Sequence, residues 1–520
     1  MHSWKSAAPI SASTPGDHDM TAGLSGDWLA ARARTTPGAT AVITHESQWT
    51  YGELDLLVQQ FASQLRLYTK NGGRIAALLA NNIDYVCLIH AAARMGAVLV
   101  PLNTRLSMGE IEWQLQSARC ELLVFDQTTA VKAGDIQVSG LKMIATASLS
   151  AGHLSDKDDS TTAPTMECDQ AIIFTSGTTG KPKGARLTFA NHFYSATASA
   201  WRLGVLPHDR WLCCLPLYHV GGMAILLRSC LYGTAVELHD GFNVSAVSES
   251  LDSSRVTIIS LVPTMLHRLL RFREGRAWPE SLRHVLLGGA AAPQEIIAAG
   301  RDLGIPISAT YGLTEASSQV ATTVHEDMYQ KPGSVGKPLL FTQVAIVDNA
   351  GRKTPPMTAG EIIVSGPTVM AGYDGDAEST SEVLKEGWLH TGDVGYLDED
   401  GDLWVVQRQN DIIISGGENV YPAEVETVLQ THPAVAGACV VGIADEEWGQ
   451  RVAAAIVLAE PEEVTAEALL DYCRQRLAGY KLPRRVVFLN DLPQTASGKI
   501  KRDAVAELVE ASIQASHATN

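Results

Sequence analysis

The chain has 520 residues, 46% hydrophobic and 19% charged; at ~150 residues per domain this suggests roughly three folding units with a substantial core, and it argues against disorder. Forty basic residues against fifty-seven acidic ones leave a formal charge of −17. A surface that negative repels phosphate backbones and anionic lipid, which speaks against nucleic-acid binding, so any phosphate is held by local groups against the global field.

Residues 1–25 are rich in Ser, Ala and Pro and hold no apolar core of signal-peptide length; they read as a disordered extension, with Met20 as an alternative translation start. The longest apolar stretch, Val86 to Leu102, is broken by His90 and Arg94 and falls short of the ~20 residues a bilayer requires. Eight sparse cysteines without a C-x-x-C pair read as reduced and buried, and no H-E-x-x-H occurs among the histidines. A soluble, cytoplasmic protein acting on small molecules is expected, with no stable membrane insertion.

After Trp28–Arg34, which reads as the first helix, short β-branched runs alternate with amphipathic stretches, the pattern of βαβ units. Strands are predicted at Arg74–Leu79, Ala97–Pro101, Leu122–Phe125, Ala171–Thr175, Thr257–Leu261, His284–Leu287 and Ile305–Ala309. Residues 127–167, with the charged run 156–159, read as a surface excursion. Beyond residue 331, Gly, Pro and Asn-Ala-Gly punctuation between short alternating runs predicts hairpins. From about residue 420 the order is helix Ala423–Thr431, strands Val435–Ile443 and Arg451–Leu458, helix Ala466–Arg476 and strand Val486–Phe488. The fold expected is α/β: a large N-terminal domain of layered α/β subdomains plus a small β-rich subdomain over 26–407, then a small α+β domain over 412–510 and a flexible tail over 511–520.

One segment carries the chemistry. Thr175, Ser176, Gly177, Thr178, Thr179, Gly180, Lys181, Pro182, Lys183 and Gly184 follow an apolar run. Small residues let backbone amides approach an anion, hydroxyls donate to phosphoryl oxygens and lysines neutralise charge. A Walker A loop needs Ser or Thr after its Gly-Lys; Pro182 stands there and steers Lys181 away from helical angles.

This decapeptide resembles the phosphate loop of the adenylate-forming superfamily of acyl-CoA synthetases, carrier-loading adenylation domains and luciferases. Further matches follow in that family's order: Gly288-Gly289-Ala290, Tyr311-Gly312-Leu313-Thr314-Glu315, Thr391-Gly392-Asp393, Arg408 through Gly417-Glu418, and Pro493 to Lys499. The resemblance covers roughly residues 28 to 505. It implies activation of a carboxylate on the α-phosphorus of ATP, release of pyrophosphate and transfer of the acyl group to a thiol.

The resemblance also implies roles. Glu315 would be the ligand of Mg2+ and Thr314 the α-phosphate donor. Gly288, Gly289 and Ala290 would let adenine lie on bare backbone, with Tyr311 and Gly312 on its other side. Asp393 would take the ribose hydroxyls, as a carboxylate with two accepting oxygens suits, and Arg408 would reach ribose and phosphate. Lys499 would bridge the α-phosphate and the attacking carboxylate. The small domain would rotate about a hinge over 408–411, presenting Gly416 and Gly417 to the thiol. Two departures stand out: Gln407 replaces the usual Gly before the arginine, and the pivot is Asn410.

No carrier or condensation domain is attached, which favours free coenzyme A as acceptor. Lys481 would either contact its phosphates or be a plain surface lysine. The acid pocket would be bordered by His219 and Ser318. Arg228, nine residues after His219 in an apolar stretch, ill suits a fatty-acid tunnel, because an unpaired buried cation costs several kcal/mol. It suits a substrate with a second carboxylate, unless it snorkels from a helix edge. With Thr314-Glu315-Ala316-Ser317-Ser318-Gln319 and the segment 413–424, this stretch resembles the o-succinylbenzoate–CoA ligases of menaquinone biosynthesis. The alternatives are another aryl- or acyl-CoA ligase, for coumarate-like or medium-chain acids, and a carrier-loading adenylation enzyme. A homodimer is compatible with these readings, although the sequence does not specify the oligomeric state.

Overall fold

The protein is described by a computed structural model covering residues 26–150, 164–176, 182–290, 292, 294–408, 412–459, 464–493 and 500–518. Its β-branched runs assemble into two large, mainly parallel sheets, because most of their strands are followed by a helix that carries the chain back to start the next strand in the same direction. The six-stranded sheet runs Lys142–Ala145, Leu122–Phe125, Arg74–Leu78, Val98–Pro101, Asp169–Ser176, Pro182–Thr188. Its pairings are parallel except the last, which is antiparallel. In the nine-stranded sheet Ile307–Tyr311, His284–Leu287, Ile258–Leu261, Arg210–Cys213, Ala235–Leu238 and Thr40–Ile43 are mutually parallel. Short antiparallel strands close both of its edges.

All seven predicted strands are present, Leu122–Phe125 and His284–Leu287 with the expected bounds and the other five with shifted ends. Ile307–Tyr311 starts later than expected, since Pro306 has no N–H to give a ladder. The expected surface excursion is partly structured: helix Ala130–Gly134, edge strand Lys142–Ala145 and helix Thr146–Ser150 occupy its first half. The charged run 156–159 lies outside the described residues. Cysteines are free; seven are buried, and Cys168 departs from expectation in being exposed.

A third, antiparallel sheet holds the predicted hairpins: Gln343–Val347, Gly360–Ser365, Trp388–Leu397, Leu384–Lys385 and Leu403–Arg408. The fourth belongs to the C-terminal unit, in the order Glu418–Val420, Ile413–Ser415, Gly449–Leu458, Val435–Asp445, with Arg485–Phe488 on Gly449–Leu458. The chain end is helical from Arg502 to Ala518, not a flexible tail from 511. Val505 and Val509 sit among Cys439, Val441 and Ala455 on one face of that sheet, and this burial carries the helix on. Among the described residues no helix is long and apolar enough to cross a membrane.

One apolar cluster joins helices Tyr51–Leu65, Ile83–Met95 and Val220–Tyr232 to both large sheets. A second runs from the other face of the six-stranded sheet (Ala76, Leu78, Val100) through Leu106 and Ile111 into the C-terminal unit at Ile413, Val420 and Tyr480. That continuity seats the C-terminal unit on the large one beside the strand ends, where open α/β sheets bind ligands.

Candidate active site

Strands Asp169–Ser176 and Pro182–Thr188 pair antiparallel, with Thr175 opposite Lys183 and Ser176 opposite Pro182. The phosphate-loop segment is therefore entered and left by two paired strands. As Pro182 predicts, the chain leaves it as a strand and not as a P-loop helix. Gly177, Thr178, Thr179 and Gly180 lie outside the described residues, as does the Ser176 side chain. Thr175 and Lys183 line a cavity of about 990 Å³ that both large sheets, the antiparallel sheet and the C-terminal unit enclose.

At the end of strand Ile307–Tyr311 a 3₁₀ turn, Thr314–Ala316, carries Glu315 into the same cavity. The hydroxyls of Thr175 (3.1 Å) and Tyr373 (3.0 Å) both donate to Glu315 Oε1. Burial and the Glu315 carboxylate push the Tyr373 phenol far above its ordinary value, so it stays a neutral donor. Tyr373 is held in place by its neighbours: Ala371 N donates to Arg186 O (3.0 Å) and Asp374 N to Gly184 O (2.7 Å). Two donors on one oxygen orient the carboxylate and leave Oε2 without a donor among the described residues. A hard, oxygen-seeking ion such as Mg2+, which keeps several waters, fits that arrangement.

The turn after Glu315 is strained. Ser317 and Ser318 have φ of 54° and 92°, values non-glycine residues rarely adopt. Hydrogen bonds hold it: Ser195 donates to Ser317 O (2.7 Å) and Ser317 Oγ to Thr368 O (2.8 Å). Gly312 allows the close return, since a Cβ there would lie 1.5 Å from Ser318 O.

Asp393 is buried at the cavity wall and opposite Arg408 in the strand register; the Arg408 side chain is outside the described positions. Glu361 shapes the Thr391-Gly392-Asp393 segment, accepting from Gly392 N (3.2 Å) and pairing with His390 (2.8 Å). Tyr311 is buried in the core and meets the site by donating to Asp393 (2.6 Å). Gly288 and Gly289 line the cavity, whereas Ala290 does not.

Arg228 lies in helix Val220–Tyr232, is 2% exposed and lines the cavity with Ser318, Gln319, Ser260 and Leu286. It does not snorkel. Its Nη2 donates to Ser195 Oγ (3.2 Å), Nε has no partner among the described residues, and its guanidinium lies 6.0 Å from the Trp211 ring. No carboxylate pairs with it among the described residues, and burial pushes its pKa down. Deep in this wall, burial and then Arg228 hold His192 at about 3, so the guanidinium has a neutral neighbour.

On the opposite side, the hairpin Ile413–Ser415/Glu418–Val420 enters the cavity through Gly416 and Gly417. Both glycines have positive φ (59° and 84°); a Cβ on Gly416 would meet the Trp448 ring at 2.5 Å, while Gly417 faces Val262 and Met265 at 3.7 and 3.8 Å. Both glycines line the cavity; a side chain on Gly416 would clash with Trp448, whereas a Cβ on Gly417 would sit at ordinary contact distance from Val262 and Met265. Glu418 is the residue sequence reasoning left without a role. It accepts from Tyr218 (3.0 Å), Asn103 (3.1 Å) and Arg105 (3.3 Å) and pairs with His219 (3.1 Å), all in the large unit. Burial opposes its charge, but His219, Arg105 and Tyr218 overcome this and hold the carboxyl at about 2. His219, N-cap of Arg228's helix, therefore faces Glu418 as well as the cavity.

Lys481 is a correction. It is 2% exposed and bound by Glu424 (2.7 Å) and Glu110, so it is no surface lysine and its charge is already matched. Lys499 and Asn410 fall outside the described residues. A cluster of Asp398, Asp400 and Asp402 has its cation position filled by Lys331 Nζ, 2.8, 2.7 and 2.6 Å away.

Residues 29–374 match the family described as AMP-binding enzyme and 424–499 its C-terminal domain. A 2-succinylbenzoate–CoA ligase of Bacillus cereus is 42% identical over 485 residues, 93% of this chain and 98% of that protein. A double-mutant o-succinylbenzoate CoA synthetase from Bacillus subtilis, bound with its product analogue OSB-NCoA, is 40% identical, with a TM-score of 0.86 over 92% of this chain and 97% of that one. The Bacillus subtilis synthetase in complex with the acyl-adenylate intermediate OSB-AMP has the same identity and coverage but a TM-score of 0.71. At equal identity and coverage the difference lies in how the parts are arranged, and this chain is closer to the product-analogue complex.

Proposed function

We propose that this chain, which belongs to the AMP-binding enzyme family, is an AMP-forming acid–CoA ligase that converts 2-succinylbenzoate, ATP and coenzyme A to the acyl-CoA thioester, AMP and pyrophosphate, a step of menaquinone biosynthesis. The observation that carries the substrate is Arg228, a buried guanidinium on the cavity wall without an acidic partner among the described residues. A dicarboxylate supplies the missing anion: the benzoate pairs with Arg228 while the succinyl carboxylate reacts. Uncompensated burial of the cation is then a feature of the empty pocket, relieved on binding.

In the first half-reaction the substrate carboxylate oxygen bonds to the α-phosphorus and the bond to the bridging oxygen of pyrophosphate breaks. An anion meets a polyanion, so neutralisation dominates. Lys183 and Thr175 flank the phosphate segment, Thr314 donates toward the α-phosphate, and Lys499 joins α-phosphate and carboxylate. Asp393, steered by Tyr311, takes the ribose hydroxyls; Arg408 in the paired strand reaches ribose and phosphate. Glu315, oriented by Thr175 and Tyr373, would hold Mg2+, which when bound supplies further charge neutralisation on the phosphates.

In the second half-reaction the thiol sulfur attacks the acyl carbonyl and AMP leaves with the bonding pair. Domain rotation about 408–411 removes Lys499 and brings Gly416–Gly417 to the cavity; the Glu418 socket and the likeness to the product-analogue complex support reading the present arrangement as this one. Gly417, lacking a Cβ, leaves passage for the pantetheine beside Val262 and Met265. The enzyme works in the cytoplasm on small molecules, and sedimentation of the purified chain decides whether it forms a homodimer.

Pyrophosphate release measured across a panel of acids, with and without coenzyme A, tests this reading. 2-Succinylbenzoate should be preferred over medium-chain and coumarate-like acids, and the thioester should appear only with coenzyme A. Preference for a monocarboxylic acid would overturn the substrate, and full turnover onto a carrier protein alone would overturn the acceptor.

A further inference from the structure

Among the contacts between the large unit and the C-terminal unit, one row comes from a short segment of the large unit, Asn103 to Glu110. Asn103 and Arg105 bond Glu418, and the Arg105 guanidinium lies 4.8 Å from the Tyr480 ring centroid. Ser107 Oγ donates to Arg476 O at 3.3 Å. At the end of this row Lys481 has two carboxylate partners of different kinds. Glu424 belongs to its own unit, at 2.7 Å, and Glu110 lies across the boundary.

Glu110 is aimed by its helix. It is the third residue of Met108–Ser117 and its Oε2 accepts from Ser107 N (2.7 Å) in a capping box with Ser107. This leaves Oε1 pointing at Lys481. The Glu424–Lys481 pair travels with the C-terminal unit as one body, so it favours no orientation of that unit. The Glu110 contact differs: it bridges the two units in the arrangement in which Gly416 and Gly417 line the cavity, so a large rotation of the C-terminal unit away from it would break the contact. A buried ammonium gives up more when it loses a carboxylate than a surface one does, because little solvent replaces the lost partner.

We propose that Glu110 is a positioning residue of the second half-reaction: by completing the carboxylate shell of Lys481 from across the boundary, it holds the C-terminal unit in the orientation that presents Gly417 to the thiol, and it takes no part in forming the adenylate. The proposal rests on the two-step reading above.

Glu110→Gln is the test, because Gln at this helix position preserves the capping box while removing the charge that faces Lys481. Acyl transfer from preformed acyl-adenylate to coenzyme A should slow about tenfold to a hundredfold, as for loss of a hydrogen bond to a charged group, while ATP–pyrophosphate exchange stays within about twofold. Backbone hydrogen exchange over 476–482 should quicken, a readout independent of activity. Glu110→Asp, one methylene short of Lys481, should show the same split and serves if Glu110→Gln does not fold. Glu424→Gln, which alters only the pair within the unit, should lower thermal stability without separating the half-reactions. Unchanged transfer in Glu110→Gln, or equal loss of both half-reactions at unchanged melting temperature, overturns the proposal. A wild type inactive on 2-succinylbenzoate would count against the substrate alone, and the comparison is then made with whichever acid supports exchange.

Discussion

Arg228→Met separates a substrate-binding cation from a structural one. Methionine fills similar space beside Trp211 and keeps the wall closed. With the pocket empty, the native guanidinium is 2% exposed and among the described residues has one hydrogen bond, to Ser195, with the Trp211 ring 6.0 Å away, so its desolvation is largely uncompensated. Removing it should leave the melting temperature unchanged or raise it by a few degrees, since about 1 kcal/mol corresponds to roughly 2–4 °C in a domain of this class. With substrate present the sign reverses. The benzoate is left desolvated without its charge partner, a loss of about 2–5 kcal/mol, or roughly 30-fold to several thousand-fold. Because the contact exists in ground and transition states alike, the loss should fall mainly on KM for 2-succinylbenzoate, with KM for ATP and coenzyme A little changed. Arg228→Lys should recover only part, as an ammonium lacks the planar fork. A monocarboxylic analogue should be poor with the native enzyme and lose little more in the variant. Steady-state kinetics and thermal melts decide it: normal KM for 2-succinylbenzoate, or a large fall in melting temperature, refutes the reasoning.

Lys499→Ala should abolish pyrophosphate exchange and spare thioester formation from supplied acyl-adenylate, since the lysine acts at the first transition state; equal loss of both in a folded variant would refute it. Gly417→Leu should do the reverse, because its side chain would fill the gap to Val262 and Met265 at a φ of 84°, and loss of exchange would show that the hairpin serves the first step too. Glu418 sets a pH limit on docking. Its carboxyl is depressed from 4.5 to about 2, so its contribution is complete above pH 4.5 and is lost as pH falls toward 2. Hydrogen-exchange protection of Glu418–Val420 should follow that window, and loss well above pH 4.5 would contradict it.

Most of the fold was legible in the residues. Strand cores such as Val98–Pro101 and Leu122–Phe125 are apolar over their whole length because parallel strands are buried on both faces, and this run signal survives without tertiary information. The edge strand Lys142–Ala145 was missed because its residues are mostly exposed and its reason for being extended is the neighbour it pairs with. The end of helix Arg502–Ala518 was missed for a similar reason: the sheet that buries Val505 and Val509 is built from residues about sixty positions earlier.

The candidate site divides in the same way. Contiguous motifs needed no fold to be read, since a Gly-rich loop or a Thr-Glu pair carries its chemistry in adjacent residues. Pro182 even predicted how the chain leaves the phosphate segment. What only the tertiary structure decided was the partners. Tyr373 is 58 positions from Glu315 and Ser195 is 33 from Arg228, and no local pattern marks either. Lys481 reads as a solvated charge until Glu110, 371 positions away, is folded against it. Glu418 acquires meaning only when the C-terminal unit docks. The chemistry of each group is intrinsic to its side chain and local neighbours, but its charge state, orientation and availability depend on which distant groups exclude water from it.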